Sequence, residues 1–346
     1  MRHIPIILLG YGNVGRAFVR LVEEKRDRLN QDYGLNLVWT TIFRREGRYD
    51  FPPIGESDHP VIEKDELKFG ELKTGRVLND LKSLLREAPG GVMVDGSVSD
   101  HKTGQPGYDY WKKAFSWGWH VVTANKGPLV YDYKGLHNSA HQNRCGLGIS
   151  GATAAALPTV DLALYALAGA DIQSVEGILN GTSNYILTRM GEGVDYAEAL
   201  SEAQGKGIAE PDPAMDVEGW DTAYKILLIT NASTELKYSL NDVSVKGITS
   251  ISRQEVEKAA REGKRIKLLG RFERTDTGGI LEVAPRAVGP DHPLFWVNGT
   301  EKGITFETDT MGSISAVGGR SSPVGAAAAL LKDLINIVRQ HDNKSD

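Results

Sequence analysis

Carboxylates crowd the run Glu210-Pro-Asp-Pro-Ala-Met-Asp-Val-Glu-Gly-Trp-Asp-Thr-Ala-Tyr-Lys225, and a lysine closes it. Asp221 and Lys225 stand four apart, so on a helix they share a face. Acids beside an ammonium can bind a small polar substrate and move a proton. Spacing alone does not demand that chemistry, because such a pair is usually solvated and contributes only about a few tenths of a kcal/mol. The flanks indicate how these groups would be held. Each proline of Glu210-Pro-Asp-Pro pushes its predecessor out of the α region, which makes a rigid turn. Asp216 is then expected to cap a helix that runs on through Ile226, Leu227, Leu228 and Ile229.

A second pattern lies near the start of the chain. Residues 4–9 read as a buried parallel strand, and Gly10-Tyr-Gly-Asn-Val-Gly15 follows at once. Val14, Ala17, Phe18, Leu21 and Val22 then keep a helical period. A strand, this glycine spacing and a helix make the context of a dinucleotide site. Gly10 permits the tight turn, Gly12 lets the backbone approach a pyrophosphate, and Gly15 lets the helix pack closely. The first helical turn, from Asn13 and Val14 onward, offers N–H groups to the phosphates.

The second strand, residues 37–43, ends in Arg44-Arg45. An acid there would hold ribose hydroxyls, whereas an arginine suits a 2′-phosphate. NADP is therefore favoured over NAD, with Arg44 the better candidate; use of both cofactors and a role for Arg45 stay open. Strands at 92–95 and 120–123 run into Gly96-Ser97 and Ala124-Asn-Lys-Gly-Pro128, with a helix at 108–117 between them. Ligands gather at the carboxyl ends of such strands, so Ser97 and Lys126 point to the nicotinamide end of the cofactor.

With 346 residues, 40% hydrophobic and 25% charged, the chain should fold as about two ordinary globular domains. Its net charge of −5 argues against a nucleic-acid partner, and its apolar runs are too short to span a membrane. No signal peptide is visible, and a single cysteine, Cys145, rules out an internal disulfide and suits the cytoplasm. The sequons at Asn180, Asn231 and Asn298 carry no meaning without a secretion signal. His137 and His141 have the spacing of a helical zinc pair, but Asn138 stands where a metalloprotease needs its glutamate. They read as surface residues of a helix around 135–143, with no zinc.

Past Cys145, a small-residue turn at 151–158 should lead into an apolar helix at 160–167. A strand at 175–179 is followed by a turn and helix at 180–187. Strands at 266–272, 280–284 and 303–308 suggest a largely antiparallel sheet, and 326–338 make a closing helix. Residues 45–66 read as an irregular insertion. The expected class is α/β. A Rossmann-type doubly wound parallel sheet occupies residues 1–150 and is completed by 318–346. A second, α+β domain at 151–317 serves substrate binding and dimerisation.

The glycine loop, Thr123-Ala-Asn-Lys-Gly-Pro128, Asn180-Gly-Thr-Ser-Asn-Tyr-Ile186 and Glu210-Pro-Asp-Pro through Asp221 and Lys225 come in the order found in homoserine dehydrogenases. The chain resembles that family from about residue 4 to about 338. Such enzymes interconvert L-homoserine and L-aspartate 4-semialdehyde with NADP or NAD, on the path to threonine, methionine and isoleucine, and work as dimers. The resemblance implies that Lys225 exchanges a proton with the substrate oxygen and that Asp221 is its substrate-binding neighbour. It implies that Glu210 holds the amino-acid end, with Asp216 and Thr182 at further active-site positions. Lys126 would lie near both cofactor and substrate, and Gly207, Gly318 and Gly319 would line the cofactor. The chemistry agrees. Hydride reduction of an aldehyde builds negative charge on oxygen, which a cation in a water-poor site stabilises and protonates. Oxidation needs a base instead, which favours alkaline conditions.

Departures from the family pattern accompany it. The family often binds sodium or potassium with a glutamate where this chain has Ser150, which leaves the backbone carbonyls of Thr153, Ala155 and Leu157 for such an ion. A thiol-dependent aldehyde dehydrogenase is set aside because Cys145 lies in no nucleophile elbow. A silent nucleotide sensor would be expected to lose Lys225 or Asp221, and both are present. The chain stops soon after Val338, so neither an amino-acid-sensing domain nor a fused aspartate kinase is expected. Threonine should then not inhibit through such a domain, and strong inhibition of turnover at physiological threonine would refute that expectation.

Overall fold

The apolar run that precedes the glycine loop becomes β1 (Arg2–Leu9), buried from Ile6 to Leu9. A computed structural model describes residues 2–45, 47–52, 62, 67–71, 77–87, 90–319 and 321–342. Two units emerge, Met1–Ala155 with Ser322–Asp346, and Ala156–Ser321.

In the first unit β1 is joined by β2 (Leu35–Arg44), β3 (Gly47–Asp50), β4 (Gly70–Glu71), β5 (Val92–Asp95), β6 (His120–Thr123) and β7 (Leu147–Gly148). The order in this seven-stranded sheet is β4-β3-β2-β1-β5-β6-β7. From β2 to β7 the neighbours run parallel, while β3 and β4 add antiparallel strands at the β2 edge. The sheet is thus mixed, and residues 47–50 are not irregular as expected. They fold back on β2, with Arg44 opposite Gly47, and Tyr49 packs edge-on to Phe51 at 4.9 Å. Of the expected insertion, residues 46, 53–61 and 63–66 lie outside the described residues.

Helices α1 (Asn13–Glu24), α2 (Arg26–Tyr33), α3 (Val77–Glu87), α4 (Gly107–Ser116), α5 (Gly127–Gln142) and α6 (Ser150–Thr153) complete this part. Phe18 and Val22 of α1 are buried against the sheet beside Leu330 and Leu334 of the C-terminal helix Pro323–Asp342. Each such side chain contributes roughly 1.5–3 kcal/mol of burial. A polar clamp fixes that last helix. Ser150 donates to the Asp333 carboxylate through its N–H (2.9 Å) and its hydroxyl (2.8 Å).

The second unit begins with α7 (Thr159–Asp161), which passes into a π-helical turn, Leu162–Ala166. The apolar helix expected at 160–167 is present, wound as a π-helical turn over most of its length. Val160, Ala163 and Leu167 still line a buried face, while Leu164 and Tyr165 are exposed on the other side. Then follow β8 (Ile172–Ile178), α8 (Gly181–Gly191), α9 (Tyr196–Gly205), α10 (Ala214–Val217), α11 (Trp220–Ser233), β9 (Val243–Val245), α12 (Arg253–Arg261), β10 (Arg265–Thr275), β11 (Gly278–Val288), β12 (Lys302–Thr308) and β13 (Ser313–Gly318). The sheet order is β13-β12-β8-β10-β11-β9, antiparallel apart from the β11–β9 pair.

Helix α11 lies on one face of this sheet. A Cβ on Gly270 would sit 3.0 Å from Thr222 and 3.1 Å from Ile226, so bare glycine lets the helix come down. The opposite face holds the cluster of Ile178, Leu269, Leu294, Phe295 and Val297. Asp216 does not cap the long helix as expected. It lies inside α10, and Gly219, with φ 91, takes the N-cap of α11. A Cβ on Gly219 would approach Val283 to 3.2 Å, so the sheet beneath and the left-handed turn both select glycine here.

His120 offers a test of the first unit. Its Nδ1 accepts the Gly146 N–H at 2.9 Å, and its ring centroid lies 4.5 Å from that of His341. Burial, then the charges of His341 and Arg2, push its pKa down from 6.5 to about 4. The folded state therefore binds this proton more weakly than the unfolded chain. Its stability contribution is complete above pH 6.5 and is lost as pH falls toward 4, by about 3 kcal/mol at most. Urea midpoints should decline over that window and decline less in His120→Leu; a flat wild-type profile goes against this account.

Candidate functional site

The turn after β1 uses three glycines for three reasons. Gly10 has φ 88, and a Cβ there would meet the Ser97 backbone nitrogen at 2.6 Å. Its own N–H donates to the Phe43 carbonyl at 2.9 Å, so the ends of β1, β2 and β5 close on one another. A Cβ on Gly15 would lie 2.0 Å from the Gly10 carbonyl oxygen, so α1 starts against the turn. Around Gly12, among the described residues, nothing stands within 4 Å of the corresponding point. Gly12 is the N-cap of α1, and no side chain caps that helix. Open space at a bare helix N-terminus suits a phosphate. Beside it, Asn13 accepts from Arg16 at 2.9 Å, and Val14 is half-buried.

Arg44 and Arg45 are exposed where β2 ends, and the Arg44 guanidinium lies 4.5 Å over the Phe69 ring. At the ends of β5 and β6 a buried polar network forms. Asp95 accepts from the Ser97 N–H (2.8 Å) and hydroxyl (2.6 Å), from Trp111 (2.7 Å) and from Asn125 (3.1 Å). Burial raises the Asp95 carboxyl above the usual range, while those hydrogen bonds pull it back. Asn125 also donates to Ser99 at 2.8 Å, and the half-buried Lys126 follows at the start of α5. Ser97 thus shares one network with Asp95 and Asn125, which sequence reasoning did not single out, and Lys126 is the residue after Asn125. The available signal was a carboxylate closing an apolar strand.

In the second unit, Asp221 and Lys225 form an ion pair on the first turns of α11, each side chain about one-seventh exposed (13% and 14%). The Lys225 ammonium also donates to the Leu179 carbonyl at 2.8 Å. Asn180 organises the acids. Its amide nitrogen donates to Asp216 (2.7 Å) and Asp221 (2.9 Å), while its oxygen accepts the Ser183 N–H and caps α8. Asn180 is buried, and no site role had been read for it; the signal was its place as cap residue before Gly181-Thr182. Thr182 donates to the Ile208 carbonyl at 3.1 Å, next to Gly207, whose φ is 68. Gln204 holds the carbonyls of Glu210 and Pro211, and Glu210 itself is exposed.

Gly318 pairs with Lys302, and a Cβ on Gly319 would lie 2.8 Å from the Leu157 nitrogen. Of the carbonyls considered for an ion, that of Leu157 accepts from the Thr159 N–H, and Ala155 has φ 55. Around Ser150 the carboxylate is Asp333. Lys332 lies 3.3 Å from that carboxylate and donates to the Ser150 hydroxyl at 2.9 Å. His137 and His141 are exposed on α5. A cavity of about 370 Å³ is lined by Lys264, Arg265, Lys267 and Phe295 among others, and contains none of the groups above.

A family model described as homoserine dehydrogenase matches residues 158–335. The homoserine dehydrogenase of Methanocaldococcus jannaschii is 35% identical over 348 residues, covering 96% of this chain and 98% of that one. The NAD(+)-dependent homoserine dehydrogenase of Pseudomonas canavaninivorans is 31% identical, over 100% of this chain and 99% of its own. Among solved structures, a homoserine dehydrogenase from Thiobacillus denitrificans superposes with TM-score 0.83 at 25% identity. It covers 99% of this chain and 75% of that one.

Substitution at Asn180 separates its two jobs. Asn180→Asp keeps an acceptor for the α8 cap but sets a third carboxylate against Asp216 and Asp221. It should lower stability by roughly 1–3 kcal/mol at neutral pH, with recovery on acidification as the acids protonate. Denaturant unfolding at both pH values checks this, and a pH-independent loss would argue against it.

Proposed function

The chain belongs to the homoserine dehydrogenase family, a family of oxidoreductases, and from that premise we propose how its residues divide the work on L-homoserine and L-aspartate 4-semialdehyde. The observation that carries the proposal is the Asp221–Lys225 pair, shielded from water and tied by Asn180 and the Leu179 carbonyl.

Two of the three Lys225 N–H groups are engaged by Asp221 and Leu179, which leaves the third for the substrate oxygen. In reduction the ammonium steadies the charge building on that oxygen and supplies its proton; in oxidation the neutral amine takes the proton back. Asp216 and the exposed Glu210 offer carboxylates to the substrate ammonium, with Thr182 holding the Ile208 carbonyl two residues before Glu210. Gly10, Gly12, Asn13, Val14 and Gly15, together with Ser97, Lys126, Gly207, Gly318 and Gly319, would hold the nicotinamide nucleotide. The open N-terminus of α1 supports phosphate binding there. When bound, the nicotinamide donates or accepts the hydride. Arg44, with Arg45 behind it, favours NADP, since β2 ends in guanidinium groups. The backbone carbonyls of Thr153, Ala155 and Leu157 are kept as the candidates for a monovalent ion, with Ser150 where the family often has a glutamate. The family resemblance supports a cytoplasmic homodimer serving threonine, methionine and isoleucine synthesis.

Homoserine oxidation at alkaline pH, followed by reduced-nicotinamide absorbance with NADP and NAD separately, tests these roles. Lys225→Ala should lower kcat by about 10²–10⁴-fold, and full activity in that variant would overturn the assignment. In the same assay Arg44→Ala should raise KM for NADP about tenfold or more and leave NAD unchanged. Equal effects on both cofactors would remove the NADP preference.

A further inference from the structure

The cavity of about 370 Å³ in the second unit shares no lining residue with the Asp221–Lys225 pair. Helix α8 gives it Leu187 and helix α12 gives it Val256 and Ala260, all apolar. The start of β10 gives it charge, with Lys264, Arg265 and Lys267 inside four residues. Lys264 is paired with Glu262 at 2.9 Å, and Glu192, the carboxylate of the lining, is paired with Arg189. Arg265 and Lys267 differ. The Arg265 Nη1 donates to the Phe295 carbonyl (3.3 Å) and to the Asn298 side-chain oxygen (3.1 Å). Its guanidinium lies 4.4 Å over the Phe295 ring and 4.7 Å over that of Trp296. Lys267 is 1% exposed and donates to the side-chain oxygens of Asn184 (3.3 Å) and Asn298 (3.1 Å) and to the Val297 carbonyl. Every one of these acceptors is neutral. Among the described residues, then, two cations share a wall with no carboxylate hydrogen-bonded to either. Burial, followed by the Arg265 charge, brings the Lys267 pKa down to about 8, and Glu301 opposes that.

We propose that this cavity binds a small oxyanion with an apolar body, a carboxylate or a phosphate monoester whose head group is held by the Arg265 guanidinium. The loop takes the Nη1 of that group, and the Nε–Nη2 edge remains, two N–H groups in a fixed fork that matches two oxygens. Stacking on Phe295 and Trp296 sets the plane of the fork beforehand, so binding costs little further side-chain order. The loop beneath is itself fastened to α8. Asn184 donates to the Val297 (3.3 Å) and Glu301 (3.1 Å) carbonyls, and the Gly299 N–H donates to the Thr188 hydroxyl at 3.0 Å. Lys267 spends its three N–H groups on neutral oxygens, so it supplies the occupant with charge and no contact. That charge is buried, where salt screens it less than at the surface. The exposed Lys264 adds attraction from outside. Leu187, Val256 and Ala260 suit a hydrocarbon body better than a bare hydrated ion. Packing alone does not call for the buried ammonium, because an apolar chain at Lys267 would avoid its desolvation.

Titration calorimetry on the full chain tests the site, with excess NADP present so that the nucleotide site does not take the probe. Benzoate and phenyl phosphate carry an apolar body with either head group, benzyl alcohol carries the body without charge, and inorganic phosphate is the head group alone. One of the first two should bind once per chain, and the tighter of them identifies the head group. Benzyl alcohol and inorganic phosphate should each bind about tenfold more weakly or worse. Arg265→Gln should weaken the anion about tenfold or more, and Arg265→Lys, which keeps the charge without the fork, should not restore it. Lys264→Gln changes an exposed side chain that the fold tolerates and should weaken binding about threefold; it decides the matter if melting curves show Arg265→Gln to be unfolded. The proposal is overturned if neither benzoate nor phenyl phosphate binds, or if benzyl alcohol binds as well as they do. Affinity unchanged in the folded variants overturns it too. So does binding that is lost in Lys225→Ala and kept in Arg265→Gln, which would put the probe at the other site.

Discussion

One amide holds the centre of the second unit together. The two N–H groups of the Asn180 side chain go to two different carboxylates, Asp216 and Asp221, while its oxygen closes the first turn of α8. Acids this near to one another repel when both are ionised, and the shared amide offsets that repulsion without adding a charge. Asp221 is thereby fixed, and the Lys225 ammonium spans from it to the Leu179 carbonyl at the end of β8. The helices α8, α10 and α11 consequently meet at one side chain. A pair that would contribute little on a wet surface is kept drier and oriented here, where electrostatic effects on a developing charge are larger.

The glycine loop works by subtraction. Backbone crowding removes the side chains of Gly10 and Gly15, whose missing Cβ atoms would overlap Ser97 and the Gly10 carbonyl. Gly12 is crowded by none of the described residues. The first two shape the turn, and the third leaves room in front of the helix. Much of this was legible in the sequence, because strand, glycine spacing and helix occur consecutively and each has a local cause. The Asp221–Lys225 pair was legible for the same reason, since an i,i+4 spacing needs nothing beyond the helix itself.

What was not legible depended on partners far along the chain. Asp216 has the residue type of a cap, yet Gly219 takes that place because Val283 and Val245, more than twenty residues away, crowd the turn from the sheet. The return of residues 47–50 onto β2 rests on aromatic packing among side chains that show no simple alternation. The burial of Lys302 was passed over because a strand was read from Gly303 onward. Its alternation with Ile304 and Phe306 places it inside only once β8 and α11 are known to cover that face. Asp95 likewise looked like the end of a strand until Trp111 and Asn125 were seen to donate to it.

The C-terminal helix has a consequence for how the molecule comes into being. Its Leu330 and Leu334 belong to the core of the first unit, and Asp333 reaches Ser150 across 183 residues of chain. A polypeptide leaving the ribosome therefore presents the whole of Ala156–Ser321 before the first unit has received its last wall. The middle of the chain can fold while the beginning waits, with one flank of its apolar core uncovered. The nucleotide-type unit comes first in sequence and is completed last in time.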